Sequence, residues 1–158
     1  MKHVIDKANK IHETFGSDLD KITDSLGLVV IYEKLAGRLR EVYIKESDTI
    51  VIRSDISNRE QRELVAHAVG HHLLHAGNHL AMQKRIYSFG NYHEKQANVF
   101  AACLLIPFSK LSRLIAGKPR IDEIADYFQV REQLVRLRLK IWANFEKDLS
   151  GKKSARVG

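Results

Sequence analysis

The sequence predicts an α+β fold in which a small antiparallel sheet packs on helices and a helical C-terminal region follows. Three short β-like runs, 28–32, 41–45 and 49–53, stand too close together for crossover helices, and the last two flank a polar turn typical of a hairpin. Segments with helical spacing of apolar residues surround these runs. The 158 residues fit one compact domain, which we place at 1–150.

Two helices are predicted before the sheet. Residues 3–15 carry apolar groups at helical spacing, and this pattern ends at Gly16. Either Ser17 or Asp18 can then cap a short second helix that ends near Ser25.

After the sheet, Ser57 and Glu60 have the spacing of a capping box, which predicts the start of a helix. This helix is expected to continue to about His75, with Gly77–Asn78 as its stop and 78–91 as a loop. Further helices are predicted over about 92–106, 108–116, 121–128 and 131–148, and 151–158 is predicted to be a disordered tail.

The composition favours a cytoplasmic protein. The one cysteine, Cys103, excludes an intrachain disulfide, and its apolar neighbours predict that it is buried. No stretch approaches the ~20 apolar residues of a membrane span, and the N-terminus has no apolar signal core, so we expect no membrane partner. The net charge of +7 leaves nucleic acid or an acidic protein as possible partners.

The segment His67-Ala68-Val69-Gly70-His71 carries the main functional signal. Two histidines four residues apart lie on one face of a helix, so both imidazoles can reach one metal ion. The pattern is that of the zinc peptidases, His-Glu-x-x-His, with Ala68 in place of the glutamate that acts as general base. We therefore expect a metal site whose hydrolytic step is impaired.

Glu94 is the best candidate for a third ligand, because it begins the next predicted helix. Asn98 lies one turn further and can accept a hydrogen bond from the non-ligating nitrogen of a histidine, which would fix the ring tautomer. Alanines on the same stripe permit a close approach to the histidine helix. The stripe consists of Glu94, Ala97, Asn98, Ala101 and Leu105.

The other histidines of this region are expected to pack or to face solvent. His75 lies ~12 Å from His67 along the helix axis, too far to share one ion. A site made by His71 and His75 is geometrically possible but leaves His67 unexplained. His72 points about 100° away from His71 around the helix.

Two blocks resemble the ImmA/IrrE metallopeptidases. Residues 66–75 resemble that family's Ala-His-Glu-Leu-Gly-His-x-Leu-Leu-His block, and residues 94–107 resemble its Glu-x-x-Ala-Asn-x-Phe-Ala-x-x-Leu-Leu-x-Pro block. The resemblance covers roughly residues 5–145. It implies a zincin-like fold, with the sheet packed on the helix that carries the two histidines.

The resemblance also implies a ligand set and an activity. His67, His71 and Glu94 would bind one Zn²⁺ per chain, with manganese, cobalt and iron as other possible metals. Members of the ImmA branch are site-specific endopeptidases that cut helix-turn-helix repressors of prophages and mobile elements, which relieves repression. The expected partner is therefore such a repressor.

Ala68 allows two histories. It is either a designed inactivating substitution, which the otherwise intact motif favours, or the natural residue of a pseudopeptidase that binds a regulator protein without cutting it. The sequence leaves both open.

Two predictions concern the substrate. An extended peptide can add to the strand Thr49–Arg53 if that strand is an edge, with Ile50 and Ile52 on one face and Val51 on the other. An equally weighted alternative places this strand in the core. Tyr87, Tyr92 and His93 are candidate donors to an oxyanion.

Residues 121–145 resemble a helix-turn-helix segment. Ala125, Val130 and Val135 have its packing spacing, and three arginines raise the possibility of a DNA-binding regulator. However, the turn lacks a glycine, and the second helix is apolar around much of its circumference. We therefore interpret it as a packed helix and expect no DNA binding. The three arginines are Arg131, Arg136 and Arg138.

Overall fold

The computed structural model describes residues 1–75 and 92–154, which form an α+β fold. The predicted Gly77–Asn78 stop and the predicted loop at 78–91 lie outside the described residues. The elements are α1 (Lys2–Phe15), α2 (Leu19–Ser25), β1 (Val29–Glu33), β2 (Glu41–Ile44), a 3₁₀ turn (Lys45–Ser47), β3 (Thr49–Arg53), α3 (Asn58–Leu74), α4 (Tyr92–Leu105), α5 (Phe108–Ile115), α6 (Ile121–Phe128) and α7 (Glu132–Ser154).

The sheet has the order β1-β3-β2 and is mixed. β2 and β3 form the predicted antiparallel hairpin, but β1 runs parallel to β3, so the prediction of a wholly antiparallel sheet is wrong. No crossover helix is needed. β2 comes between β1 and β3 in the chain and runs in the opposite direction, so it returns the chain to the end of the sheet at which β3 begins. β1 and β2 are the edges.

The central position of β3 also corrects the prediction for the substrate strand. Thr49–Arg53 is hydrogen-bonded on both sides, so no peptide can add to it. Ile50 and Ile52 are fully buried and Val51 is partly buried on the opposite face, as the alternation predicted. The strand is therefore core, which was the alternative interpretation.

Helix boundaries follow local signals read from the sequence. Gly16 follows α1 with φ 66°, and the Asp18 carboxylate accepts a hydrogen bond from the Lys21 backbone N–H at the start of α2. Ser57 Oγ likewise accepts from the Glu60 backbone N–H at the start of α3. The Glu60 side chain contacts Arg40 and Arg131, so this carboxylate is used for tertiary ion pairs.

α3 and α4 form the centre of the domain. α3 packs on α4 and on the sheet, and α4 also packs on α1 and α7. Cys103, on α4, is buried as predicted, and burial raises the pKa of its thiol. Within the described residues, no single helix has both the length and the apolar character to cross a membrane, and α4 with α5 meets those criteria only as a bent pair.

The C-terminal segment has a helix-turn-helix arrangement made by α6 and α7. Gln129 adopts the left-handed conformation (φ 54°) where the sequence lacks a glycine, and Ala125, Val130 and Val135 are buried. α7 continues through residues 151–154, which the sequence analysis assigned to a disordered tail; one glycine weakens a helix by ~1 kcal/mol without ending it. Residues 155–158 lie outside the described residues.

Candidate metal centre

The two ligand-bearing helices approach closely at Gly70. A Cβ built on Gly70 would lie 3.0 Å from Phe100 Cδ1 and 3.3 Å from Ala97 Cα. A side chain at residue 70 would therefore meet both a fully buried ring and the backbone of α4. Because Gly70 has no side chain, the α3 histidines can reach the first turn of α4.

Three predicted ligands converge at this contact. His67 Nε2 lies 3.0 Å from His71 Nε2. Of the two Glu94 oxygens, Oε2 lies 3.3 Å from the His67 nitrogen and Oε1 lies 3.3 Å from the His71 nitrogen. His67 and His71 are buried and Glu94 is half-buried. Within the described residues, this is the one group of histidine, cysteine or acidic side chains whose ligand atoms lie close enough together to hold a metal ion.

The spacing of these atoms fits zinc. Ligands at ~2.0–2.1 Å on the corners of a tetrahedron are about 3.3 Å apart, which is close to the observed 3.0–3.3 Å. Two imidazoles and one carboxylate are the donor set of catalytic zinc sites that keep one position open. A bound zinc would supply Lewis acidity, and His67, His71 and Glu94 would hold it.

Asn98 lies where the sequence analysis placed it, behind a ligand. Its side-chain oxygen is 3.1 Å from His67 Nδ1. When Nδ1 carries the proton, it donates that proton to this oxygen, and the Nε2 lone pair is then available to a metal. The contact with Asn98 therefore favours the tautomer of His67 that can bind a metal.

The electrostatics of Glu94 favour its charged form. Burial acts to raise the pKa of this carboxyl, but hydrogen bonds and charge interactions with His67 and His71 outweigh burial and hold the pKa well below its usual range. Glu94 also lies in the first turn of α4, where the helix dipole stabilises a negative charge. An ionised carboxylate is the form that binds a metal.

Two further histidines, His75 and His93, lie beside the ligands. The His75 ring is stacked on the His93 ring with centroids 4.1 Å apart, and its centroid is 5.4 Å from that of His71. His72 points elsewhere, with Nδ1 3.0 Å from the Tyr43 hydroxyl. Of the candidate oxyanion donors, Tyr92 is largely exposed, His93 packs on His75, and Tyr87 lies outside the described residues.

Sequence reasoning missed one acidic residue at this site. Glu41, the first residue of β2, places Oε1 3.5 Å from His67 Nε2. Glu41 pairs with Ile52 near the end of the strand that leads into α3. It reaches His67 only through the pairing of the hairpin and its packing on α3, so no pattern in the local sequence signals it.

Ala68 is buried and offers no proton acceptor. A cluster that could hold a metal ion is thus present, while the residue that the zinc-peptidase motif uses as its base is absent from its usual position.

The arginines of the helix-turn-helix segment are engaged by other protein groups, two of them in contacts with the rest of the domain. Arg131 donates to the Glu63 carboxylate from its side chain and its backbone N–H, Arg136 lies 3.2 Å from Glu132, and buried Arg138 donates to the Ile106 carbonyl. Arg131 and Arg138 therefore serve to dock α7 on the domain.

The fold and the His67–His71–Glu94 cluster match the arrangement of a zincin-type metallopeptidase domain, with two candidate ligands on one helix and a third on the next. The model of the IrrE N-terminal-like domain, peptidase family M78, matches residues 23–140. This is more than half of the chain, and the chain belongs to that family of metallopeptidases.

A comparison of folds gives the same architecture. A Mycobacterium tuberculosis transcriptional regulator is similar with a TM-score of 0.66 and 18% sequence identity, over 85% of this chain and 45% of that protein. This chain thus spans less than half the length of that structure. No curated protein matches the sequence.

Proposed function

We propose that this chain is a zinc endopeptidase domain of the repressor-cleaving type, in which Ala68 disables the usual hydrolytic step. One observation carries the proposal: the Nε2 atoms of His67 and His71 lie 3.0 Å apart, and each lies 3.3 Å from one oxygen of Glu94, beside a residue that cannot accept a proton. The substrate would be a helix-turn-helix repressor of a prophage or mobile element, and the location would be the cytoplasm.

The substrate would bind along β2. β3 is paired on both sides, whereas β2 is an edge strand and its first residue, Glu41, lies at the metal centre. An extended peptide that hydrogen-bonds to this edge would pass beside the ligands. The other edge, β1, carries none of the site residues.

A zinc titration tests the centre itself. The purified chain is expected to bind one zinc ion, and His67→Ala and Glu94→Gln should lose it because each removes one of three ligands. His12→Ala is the matched control, since His12 contacts Ser17 away from the ligands. Zinc binding that survives both ligand substitutions would contradict the proposal.

The activity is tested by Ala68→Glu. Co-expressed with the helix-turn-helix repressor encoded nearest to its gene, this variant is expected to cleave the repressor, because a carboxylate is returned to the base position. Ala68→Gln is the control, because its side chain has the size of glutamate but cannot act as a base. A variant that binds zinc and repressor but never cuts would favour the second candidate, a pseudopeptidase that only binds a regulator.

Ala68 is the observation that favours this second candidate. The third, a DNA-binding regulator, loses its support because Arg131 and Arg138 make internal contacts. The DNA-binding hypothesis would regain support if the protein were retained on DNA and this retention fell steeply with salt concentration.

A further inference from the structure

Glu41 faces the same ligand atom as Glu94 but from another element. Its Oε1 lies 3.5 Å from His67 Nε2, and Glu94 Oε2 lies 3.3 Å from that nitrogen. The Glu41 side chain is only 13% exposed. The ligand nitrogen of His67 therefore has carboxylates from both β2 and α4 beside it.

The fold fixes Glu41 in this position. The Arg53 backbone N–H, at the end of β3, donates to the Arg40 carbonyl at 2.9 Å, and the Arg40 guanidinium contacts the Glu60 carboxylate on α3. Arg40, the residue before Glu41, is thus tied both to the end of β3 and to the first turn of α3, the helix that carries His67 and His71. The position of Glu41 is set by the hairpin and by the start of the histidine helix.

Both carboxylates would attract a cation at this centre. Imidazole binds metals in its neutral form, so the two histidines would add no charge to the bound site. Glu41 and Glu94 would bring two negative charges close to a divalent cation held by His67, His71 and Glu94, and opposite charges attract strongly where water is partly excluded.

Glu41 is not itself one of the ligands. The atoms that lie mutually close enough to share an ion come from His67, His71 and Glu94 only. Glu41 touches this set at one edge, through His67. A carboxylate this close to a ligand would support the site through its charge rather than by coordination.

We propose that Glu41 is a positioning residue of the metal centre: its carboxylate, held beside His67, supplies a second negative charge that strengthens binding of the ion. It reaches the site from β2, whereas the motif glutamate that Ala68 replaces would reach it from α3. This inference rests on the proposed function, because it requires that the centre binds a metal.

The test is the zinc affinity of the full chain, measured by competition with a chromophoric chelator. Glu41→Gln keeps the shape and removes the charge, and it should weaken zinc binding roughly 10- to 100-fold, the usual effect of losing a group that supports the ligands. Glu41→Asp should recover part of this loss. Glu33→Gln, on the exposed edge strand β1, is the matched control and should bind like the unaltered protein.

The outcomes separate the two proposals. If the unaltered chain binds zinc through His67 but Glu41→Gln binds equally well, this inference is overturned and the proposed function stands. If the unaltered chain binds no zinc, both fall. If Glu41→Gln does not fold, a crystal structure of the zinc-loaded unaltered chain decides: the Glu41 carboxylate either lies beside His67 and the ion, as expected, or is turned away, which overturns the inference.

Discussion

Gly70 on α3 lies directly against Ala97 on α4, with the position of a Cβ on the glycine only 3.3 Å from the alanine Cα. This contact sets the distance between the helix that carries His67 and His71 and the helix that carries Glu94. The geometry of the metal centre therefore depends on a residue that binds nothing.

The first prediction is that Gly70→Ala impairs both stability and metal binding. Alanine favours a helix over glycine by ~1 kcal/mol, but overpacking a filled core costs ~1–3 kcal/mol, and Phe100 has no room to move because it is fully buried. We expect a net destabilisation of about 1 kcal/mol in urea denaturation and weaker zinc binding by chelator competition.

Ser112→Ala, on α5, serves as a control for substitution at a site remote from the ligands. If Gly70→Ala were more stable and bound zinc normally, the helices would have room that the structure does not indicate.

The second prediction concerns Asn98. Replacement by alanine removes the oxygen that accepts from His67 Nδ1, so the tautomer of His67 is no longer selected. Zinc affinity should fall roughly 10- to 100-fold, while Asn98→Asp, which keeps an acceptor, should bind zinc at least as well as the unaltered chain. Lys95→Ala, on the exposed side of the same helix, is the control. Equal affinity for the alanine and aspartate variants would exclude a role in selecting the tautomer.

The ligands could be predicted from sequence, whereas the neighbouring carboxylate could not. His67 and His71 are one helical turn apart, so local geometry alone makes them neighbours. Glu41 reaches His67 only after the β2–β3 hairpin has paired and has packed on α3, and no local pattern encodes that packing.

The sheet illustrates the same limit. Alternation in 49–53 correctly placed Ile50 and Ile52 on one face, and the structure shows that this face is buried. Which strands are neighbours depends on contacts between segments distant in the sequence, and these made β3 central and β1 parallel to it.

The third prediction is a loss of stability at alkaline pH that depends on Tyr43. Burial, followed by the hydrogen bond to Asp48 and its charge, raises the pKa of Tyr43 to about 12, against about 10 in an unfolded chain. Because the folded state holds the proton more tightly, this contribution is complete below about pH 10 and is lost as the pH rises through about 12.

Urea denaturation from pH 9 to pH 12 measures this effect. Tyr43→Phe should be less stable at pH 7 by about 1 kcal/mol, since it loses hydrogen bonds to Asp48 and His72, and its stability should decline less between pH 10 and pH 12. Tyr127→Phe, at an exposed site, is the control. If the free energy of unfolding changed with pH in parallel for the Tyr43→Phe variant and the unaltered chain, the link between the Tyr43 pKa and stability would be refuted.

The fourth prediction tests how α7 is attached. Glu63, on α3, accepts from the Arg131 backbone N–H and lies 2.7 Å from its guanidinium, and its side chain is 7% exposed. Removal of one partner of a buried ion pair costs ~3–5 kcal/mol because the other charge is left uncompensated. Arg131→Ala should cost less, about 2–3 kcal/mol, because that side chain is 32% exposed and water screens it in part.

Arg136→Ala is the matched control, since its exposed pair with Glu132 is expected to contribute less than ~1 kcal/mol. The comparison also addresses function. If Arg131 served DNA binding, its loss would reduce retention on DNA and leave the unfolding free energy nearly unchanged. If it docks α7, as its contacts with Glu60 and Glu63 indicate, the unfolding free energy falls. Denaturation and salt-dependent DNA retention, measured on the same two variants, distinguish these roles.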